Sequence, residues 1–188
     1  MATDRLPTLA PENMSEEQKK AAAAFAEGRG YAVRGPFGAL IRSPEVMLRA
    51  KAMGDYLRFK STIPPKLNEL AICITARNWG QSYEWHAHRP LAEKAGLDAK
   101  IADAIAEGRR PEKLDADEQL IYDFSTELHQ NKSVSDATYA RALARFGEQG
   151  VIDLTAVNGY YTLIAMVLNV ARTQLPQGAT PGLKPFPQ

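Results

Sequence analysis

Residues 68–88 read NELAICITARNWGQSYEWHAH, and this stretch predicts a pair of helices. Its apolar side chains, together with Leu67, follow the spacing of one helix face up to Gly80, which is a typical helix-ending residue. Residues 82–94 are again helical in composition, although Pro90 removes a backbone donor and predicts a kink or a first turn there. The centre of the chain is therefore expected to form two consecutive helices.

Three titratable side chains, Glu69, Glu84 and His88, lie in this largely apolar stretch. A carboxylate and an imidazole that are held close together in an apolar setting shift each other's pKa, which suits proton-transfer chemistry. Glu84 and His88 are four residues apart, so on a helix they share a face. Glu69 can meet that face only if the two helices pack face to face. An enzyme is the leading interpretation.

Helix signals dominate the rest of the chain, and strand signals are nearly missing. Residues 34–37 are predicted to form a loop. The last predicted helix is apolar over nearly its whole circumference, which indicates that this helix is central or lies at a subunit interface. Capping residues, Pro and Gly predict further helices at 15–28, 43–57, 98–108, 115–130, 135–147 and 148–172. The prediction is an all-α fold with antiparallel packing.

One domain is expected, because 188 residues with 45% hydrophobic content can bury one sizeable core. The domain spans residues 1–188 and ends in a Pro-rich tail from about residue 173, which carries Leu183 and Phe186. Such a tail forms no regular structure. It is expected either to be disordered or to pack onto a neighbouring subunit.

The composition of the chain also bears on its partners, its location and its redox chemistry. The 23 basic and 22 acidic residues leave a net charge of +1, and no basic run is interleaved with aromatics, so no nucleic-acid partner is expected. The N-terminus lacks the apolar core of a signal peptide and no unbroken membrane span is seen, which predicts a cytoplasmic protein with no membrane partner. Cys73 is the only cysteine, so an intrachain disulfide or a CxxC pair is impossible.

The whole pattern resembles the carboxymuconolactone decarboxylase family, which includes the AhpD-type alkylhydroperoxidases. The segments that carry the resemblance are 69–72 (ELAI), 76–85 (ARNWGQSYEW), His88 and 95–96 (AG), with 35–37 (GPF), 54–58 (GDYLR) and 159–161 (GYY) on either side. It implies an AhpD-like bundle of about seven to eight helices, and a homo-oligomer, often a trimer or hexamer.

The resemblance also separates two branches of chemistry. In the peroxidase branch a CxxC pair would fall at Gln81 and Glu84, and neither residue is a cysteine here. Without a dithiol there is no intramolecular sulfenate-to-disulfide cycle. The remaining branch resembles the lactone decarboxylases, which implies a cofactor-free carbon–carbon lyase of aromatic catabolism acting on a carboxylated lactone or a related small organic acid, with no metal and no thiol peroxidase activity.

Under this hypothesis His88 is the general acid/base, oriented by Glu84, while Glu69 relays the proton or holds the imidazole from the other side. Tyr83 is expected to donate to the developing enolate oxygen, and Trp85 adjoins the site. A substrate with several carboxylates would also need a guanidinium clamp. The candidates are Arg34, first because of its Gly-Pro loop, and Arg42, Arg77 and Arg89.

Alternatives stay open at this point. Glu69, Glu84 and His88 could form a carboxylate-rich site for Mn, Fe or Zn, or the chain could be a non-catalytic ligand-binding protein that keeps the family's fold. Glu84 and His88 could also be an ordinary surface pair. The remaining candidates have structural interpretations: Cys73 as a small buried hydrophobe, His129 as a favourable charge at a helix end, and Tyr160 and Tyr161 as packing residues.

Overall fold

Helices account for all the regular structure in the part of the chain that the computed structural model describes, residues 4–27 and 29–184. The helices are α1 (Glu16–Ala26), α2 (Pro36–Leu40), α3 (Pro44–Phe59), α4 (Pro65–Asn78), α5 (Ser82–Lys94), α6 (Ala99–Ala106), α7 (Ala116–Asn131) and α8 (Asp136–Ala171), with a 3-10 turn at Pro11–Asn13. No strand occurs in these residues, so the all-α prediction is confirmed.

Capping residues begin the helices where the sequence indicates. Ser15 and Asp115 each form a reciprocal capping box, and Ser135 accepts a hydrogen bond from the Thr138 N–H. The loop predicted at 34–37 is partly wrong, because the short helix α2 begins at Pro36 with its fixed φ already suited to a first turn. Gly28, a predicted stop for α1, lies outside the described residues.

Helix α4 occupies the centre of the molecule. It packs against α5, α7 and α8, and every residue from 67 to 77 is buried. The apolar composition of the last helix, α8, predicts a central position or a subunit interface for that helix. In the structure α8 buries one face, while Ile152 and Val170 are 67% and 62% exposed. The predicted boundary at Gly147 is confirmed as a break inside α8, with φ 67° and ψ 178°.

A tight turn joins α4 to α5 and sets their register. Gly80 has φ 59°, the left-handed conformation that glycine adopts without steric cost, and the Gln81 N–H then donates to the Ala76 carbonyl at 2.8 Å. The two helices run back antiparallel from this point. The same register brings Glu69 of α4 beside His88 of α5.

The C-terminal tail packs onto its own chain, contrary to the two alternatives predicted for it. Gly182 lies so close to the Trp85 indole that a Cβ there would approach Cδ1 to 2.7 Å, and Leu183 packs against the core. The Lys184 N–H donates to the Ala106 carbonyl at 3.2 Å. From residue 173 to residue 184 the tail contains no helix, as predicted, and Phe186 lies outside the described residues.

Helix α8 is the one described helix that is long and apolar enough to span a membrane by length and composition. In its most apolar window, 56% of the residues are buried inside the fold. A core helix of a soluble protein has the same composition and the same burial.

Candidate active site

Glu69 and His88 form a buried hydrogen-bonded pair between α4 and α5. His88 Nδ1 lies 2.7 Å from Glu69 Oε2, and both residues are 8% exposed. An ionised carboxylate only accepts hydrogen bonds, so Nδ1 donates and the imidazole is held in one orientation. Nε2 has no partner among the described residues and is the nitrogen left for a ligand.

A cavity of about 750 Å³ opens beside this pair, and His88 is one of its lining residues. Its walls come from α1, α2, α3, α5, α8, the loop before α2 and Pro176 of the tail, and aromatic side chains are prominent among them. The aromatic lining residues are Phe25, Tyr31, Phe37, Phe59, Tyr83, Tyr160 and Tyr161. A small planar molecule would therefore be in contact with aromatic rings on several sides.

Three arginines and no carboxylate, among the described residues, line the same cavity. Arg29 forms an ion pair with Asp55, which also pairs with Lys51. Arg34 lies over the Tyr31 ring, 4.2 Å from its centroid, and Arg58 lies 5.1 Å from that of Phe59. The buried Nε of Arg58 has no hydrogen-bond partner in the described part of the chain. Arg34 and Arg58 thus make the cavity suitable for an anion.

Tyrosine hydroxyls supply neutral donors along the cavity. Burial raises the pKa of Tyr83, partly opposed by the charge of Arg34, and burial raises the pKa of Tyr160 to about 12. Burial also raises the pKa of Tyr161 well above its ordinary value, and the Tyr161 ring meets His88 edge-on with centroids 4.9 Å apart. All three phenols keep their protons at neutral pH and can donate to an oxyanion.

Glu84 is buried at 2% exposure, and the described residues offer no hydrogen-bond partner to either of its oxygens. Burial raises its pKa well above the ordinary range. It does not hydrogen bond to His88, so the orienting role predicted for Glu84 belongs to Glu69. The two side chains share a face of α5, but the antiparallel register gives His88 its partner from α4.

Two predicted substrate-binding residues lie outside the cavity. Trp85 is 1% exposed and packs beneath Gly182, while Arg77 donates a hydrogen bond to the Lys184 carbonyl. Both therefore hold the C-terminal tail. Tyr83 and Arg34, by contrast, line the cavity.

The other predicted clamp arginines are also engaged elsewhere. Arg42 donates to the carbonyl groups of Leu6, Pro7 and Gly38. Arg89 pairs with Glu93 and Asp103 on the surface. Arg58 lines the cavity instead of these two arginines. It lies in the 54–58 segment (GDYLR) that carries part of the family resemblance, but it was not among the predicted clamp residues.

The described residues contain no group of three or more His, Cys, Asp or Glu side chains arranged to hold a metal ion. Glu69 and His88 share one hydrogen bond, whereas Glu84 is hydrogen bonded to neither of them. The geometry of the pair thus fits an acid–base role better than a three-ligand metal site.

No model of a known protein family matches the chain, and no protein of curated function matches it either. Solved structures, by contrast, do match the chain. A peroxidase-related protein with an alkylhydroperoxidase AhpD core from Ralstonia eutropha JMP134 is similar with a TM-score of 0.74, 14% identity and 94% of each chain covered.

A cysteine-to-alanine variant of the debrominase Bmp8, in complex with 2,3,4-tribromopyrrole, is similar with a TM-score of 0.67 and 10% identity. The likeness covers 92% of this chain and 91% of that one. At these identities the comparisons establish the architecture. The chain has the AhpD-like fold.

Proposed function

We propose that this protein is a cofactor-independent acid–base enzyme of the carboxymuconolactone decarboxylase type, acting on a carboxylated lactone or a related small organic acid. The observation that carries the proposal is the Glu69–His88 pair. His88 lines an aromatic cavity that also contains two guanidinium groups, Arg34 and Arg58, with no ion pair to any described residue. General acid–base catalysis requires such a positioned imidazole within reach of the substrate.

Decarboxylation without a cofactor needs a substrate that can hold the electron pair left by CO2. In a carboxylated butenolide that pair is delocalised as a dienolate, which is then protonated at carbon. Arg34 and Arg58 would hold the carboxylates, Tyr83 or Tyr161 would donate to the enolate oxygen, and His88 would move the proton. Glu69 would stabilise the imidazolium that forms at His88.

Thiol chemistry has no support in this cavity. Cys73 is fully buried and is not among the cavity residues, and burial together with the charge of Glu69 raises the pKa of its thiol far above the ordinary value. A thiolate is the form that attacks a peroxide or a halogenated substrate. The reactions named for the two similar structures are therefore not proposed for this chain.

The test is a screen of carboxylated butenolides and β-keto acids for CO2 release by the whole protein. We expect turnover of at least one compound by the wild type and by Cys73→Ala, the thiol-free control. His88→Ala is expected to lower kcat by roughly 10²–10⁴-fold. Turnover that is equal in the wild type and His88→Ala would refute the assignment, and binding without turnover would favour a ligand-binding protein.

A further inference from the structure

An apolar rim flanks His88 where the candidate cavity meets the surface. The rim consists of Phe59 at the end of α3, Ala87 and Leu91 of α5, and Pro176 of the C-terminal tail, all of which are exposed and line the cavity. Ala87 precedes His88, and Leu91 follows it by about one helical turn on the same side of α5. None of the four rim residues carries a polar side-chain atom.

The two large side chains of the rim contribute little to the fold. Phe59 is 69% exposed and Leu91 is 36% exposed, and neither belongs to the hydrophobic core. Single exposed apolar residues are ordinary on a protein surface, but apolar residues from three elements that line one cavity form a patch. Such a patch at a concave site is typical of ligand binding.

A positive charge lies directly beside the rim. Arg58 precedes Phe59 at the end of α3, and its guanidinium lies 5.1 Å from the centroid of the Phe59 ring. The buried Nε of Arg58 has no hydrogen-bond partner among the described residues, and no carboxylate among them lines the cavity. A ligand that satisfies both features carries a carboxylate close to an apolar group.

The cavity is also larger than a single-ring acid requires. Its volume is about 750 Å³, and pockets of about 300–1,000 Å³ hold drug-sized ligands. A one-ring lactone placed at His88 and Arg58 would leave the rim in water. Water would then also remain beside the carbanion of the proposed decarboxylation, where it competes with His88 as a proton donor.

We propose that the substrate is an aryl-substituted organic acid, whose carboxylated part lies at Arg34, Arg58 and His88 and whose aryl group lies against the apolar rim. This inference rests on the proposed function and narrows its substrate class. An aryl group suits the site because aromatic rings are prominent in the cavity walls and pack on one another edge-on or offset. It would cover the rim and exclude water from His88.

Binding tests the ligand class without any turnover. The probes are benzoate, as the single-ring acid, and biphenyl-3-carboxylate and biphenyl-4-carboxylate, which add a phenyl ring in two directions. In calorimetric titrations of the full chain, at least one biphenyl acid should have a dissociation constant about 10-fold or more below that of benzoate, because the added ring leaves water. Equal dissociation constants, or no binding of any of the three acids, would overturn the inference.

Substitutions at the rim show where the added ring lies. Leu91→Ser and Phe59→Ser should each lose most of the affinity gained from the added ring, and Leu91→Ser should bind benzoate like the wild type. Val46→Ser, at a 46% exposed apolar position of α3 outside the cavity, is the matched control and should keep the full gain. A gain that survives in both rim variants would overturn the inference.

Two further variants and one measurement of size separate the other possible occupants. Arg58→Gln and Arg34→Gln should weaken the binding of the biphenyl acid, and unchanged affinity in both would show that the ligand is not held as an anion and overturn the inference. A rim covered by a second copy of the chain would give no gain from the added ring in the wild type and a changed oligomeric state in Phe59→Ser. That result would also overturn the inference.

Binding and turnover can fail separately. Turnover of one-ring lactones with no affinity gain from the added ring would refute the aryl-substituted class and leave the proposed reaction in place. A gain that depends on the rim, without turnover of any carboxylated butenolide or β-keto acid with or without an aryl group, would refute the proposed reaction and leave the ligand class in place.

Discussion

Glu69 and Glu84 show how two identical side chains acquire different properties in one site. Glu69 is hydrogen bonded to an imidazole, whereas Glu84 has no partner in the described part of the chain and burial raises its pKa. A protein commonly obtains a base and an acid from two carboxyl groups by placing them in environments that move their pKa values apart. Of the two, Glu69 is the residue that holds His88.

Cys73 is expected to be chemically inert in the folded protein. Burial raises the pKa of its thiol, so the reactive thiolate is scarce at neutral pH, and the side chain is fully buried. Alkylation by iodoacetamide should be far slower in native buffer than in urea, as followed by mass spectrometry. Equal rates in the two conditions would contradict the burial, and peroxide turnover that Cys73→Ala abolishes would contradict the proposed chemistry.

Gly54 is expected to be required by the cavity wall. A Cβ at this position in α3 would lie 2.4 Å from the Tyr160 hydroxyl oxygen and 2.8 Å from Cζ. Gly54→Ala should therefore lower the free energy of unfolding by roughly 1–3 kcal/mol in urea titrations, despite the better helix propensity of alanine. Tyr160→Phe is the control, and Gly54→Ala/Tyr160→Phe should recover part of the loss. An unchanged stability of Gly54→Ala would show that Tyr160 lies elsewhere.

Sequence reasoning identified the residues whose role follows from local chemistry. It missed the residues whose role depends on how the helices pack. The composition of residues 68–88 was enough to select Glu69 and His88 as candidates. The orienting partner of His88 was assigned wrongly, since a shared helix face predicts neighbours but not hydrogen bonds. Arg58 was missed although it lies in the 54–58 segment, because only the packing of the helices brings it to the same cavity as Tyr160 and Tyr161.

At the scale of elements, a polar cluster joins α4, α7 and α8. Thr75 Oγ1 lies 3.0 Å from His129 Nε2 and donates to Asn158 Oδ1 at 3.2 Å. Burial lowers the pKa of His129, so the imidazole is favoured in its neutral form. His129 lies in the last turn of α7, as predicted, but its lowered pKa does not favour the positive charge expected there.

This cluster predicts a pH effect on stability. The folded pKa of His129 lies below its unfolded value of 6.5, so the unfolded chain binds more protons as the pH falls below 6.5, and folding loses stability there. Glu84 acts in the opposite direction, because its raised pKa favours the fold at low pH. The effect is therefore read from the difference between the wild type and His129→Gln.

Urea midpoints at about pH 7.5 and about pH 5.5 provide the measurement. The wild type should lose more stability on acidification than His129→Gln does. His86→Gln, at an exposed histidine of α5, is the matched control and should behave like the wild type. An identical pH dependence in the wild type and His129→Gln would contradict the lowered pKa.

Helix order was predictable because capping residues, Pro and Gly act locally, as the capping boxes at Ser15 and Asp115 and the break at Gly147 show. Which helix is central was not predictable. Helix α4 is less uniformly apolar than α8, yet it is surrounded by α5, α7 and α8. How deeply a helix is buried depends on how all the helices pack. The hydrophobic periodicity of one segment carries no information about that packing.

At the scale of the whole molecule, α8 leaves an uncharged surface exposed. From residue 152 to 170 its exposed residues are Ile152, Thr155, Gly159, Leu163, Met166, Asn169 and Val170. An apolar face of this length is typical of a protein–protein contact. We propose that it packs against another copy of the chain, in agreement with the homo-oligomer predicted from sequence.

Light scattering after size exclusion tests this proposal. The wild type should elute as an oligomer, a trimer or hexamer by the sequence prediction, and Leu163→Glu should shift it toward the 20.7 kDa monomer because a charge at the contact would lose its hydration. Tyr139→Glu, at an exposed apolar position before the break in α8, is the control. A monomeric wild type would refute the proposed contact.

Chemical rescue tests the central claim, that His88 moves a proton while Glu69 holds it, most directly. With a compound that the wild type decarboxylates, His88→Gly should lower kcat by roughly 10²–10⁴-fold, and added imidazole should restore part of that loss. Glu69→Gln should be impaired without being rescued by imidazole. A His88→Gly variant that decarboxylates the compound as fast as the wild type would contradict the claim.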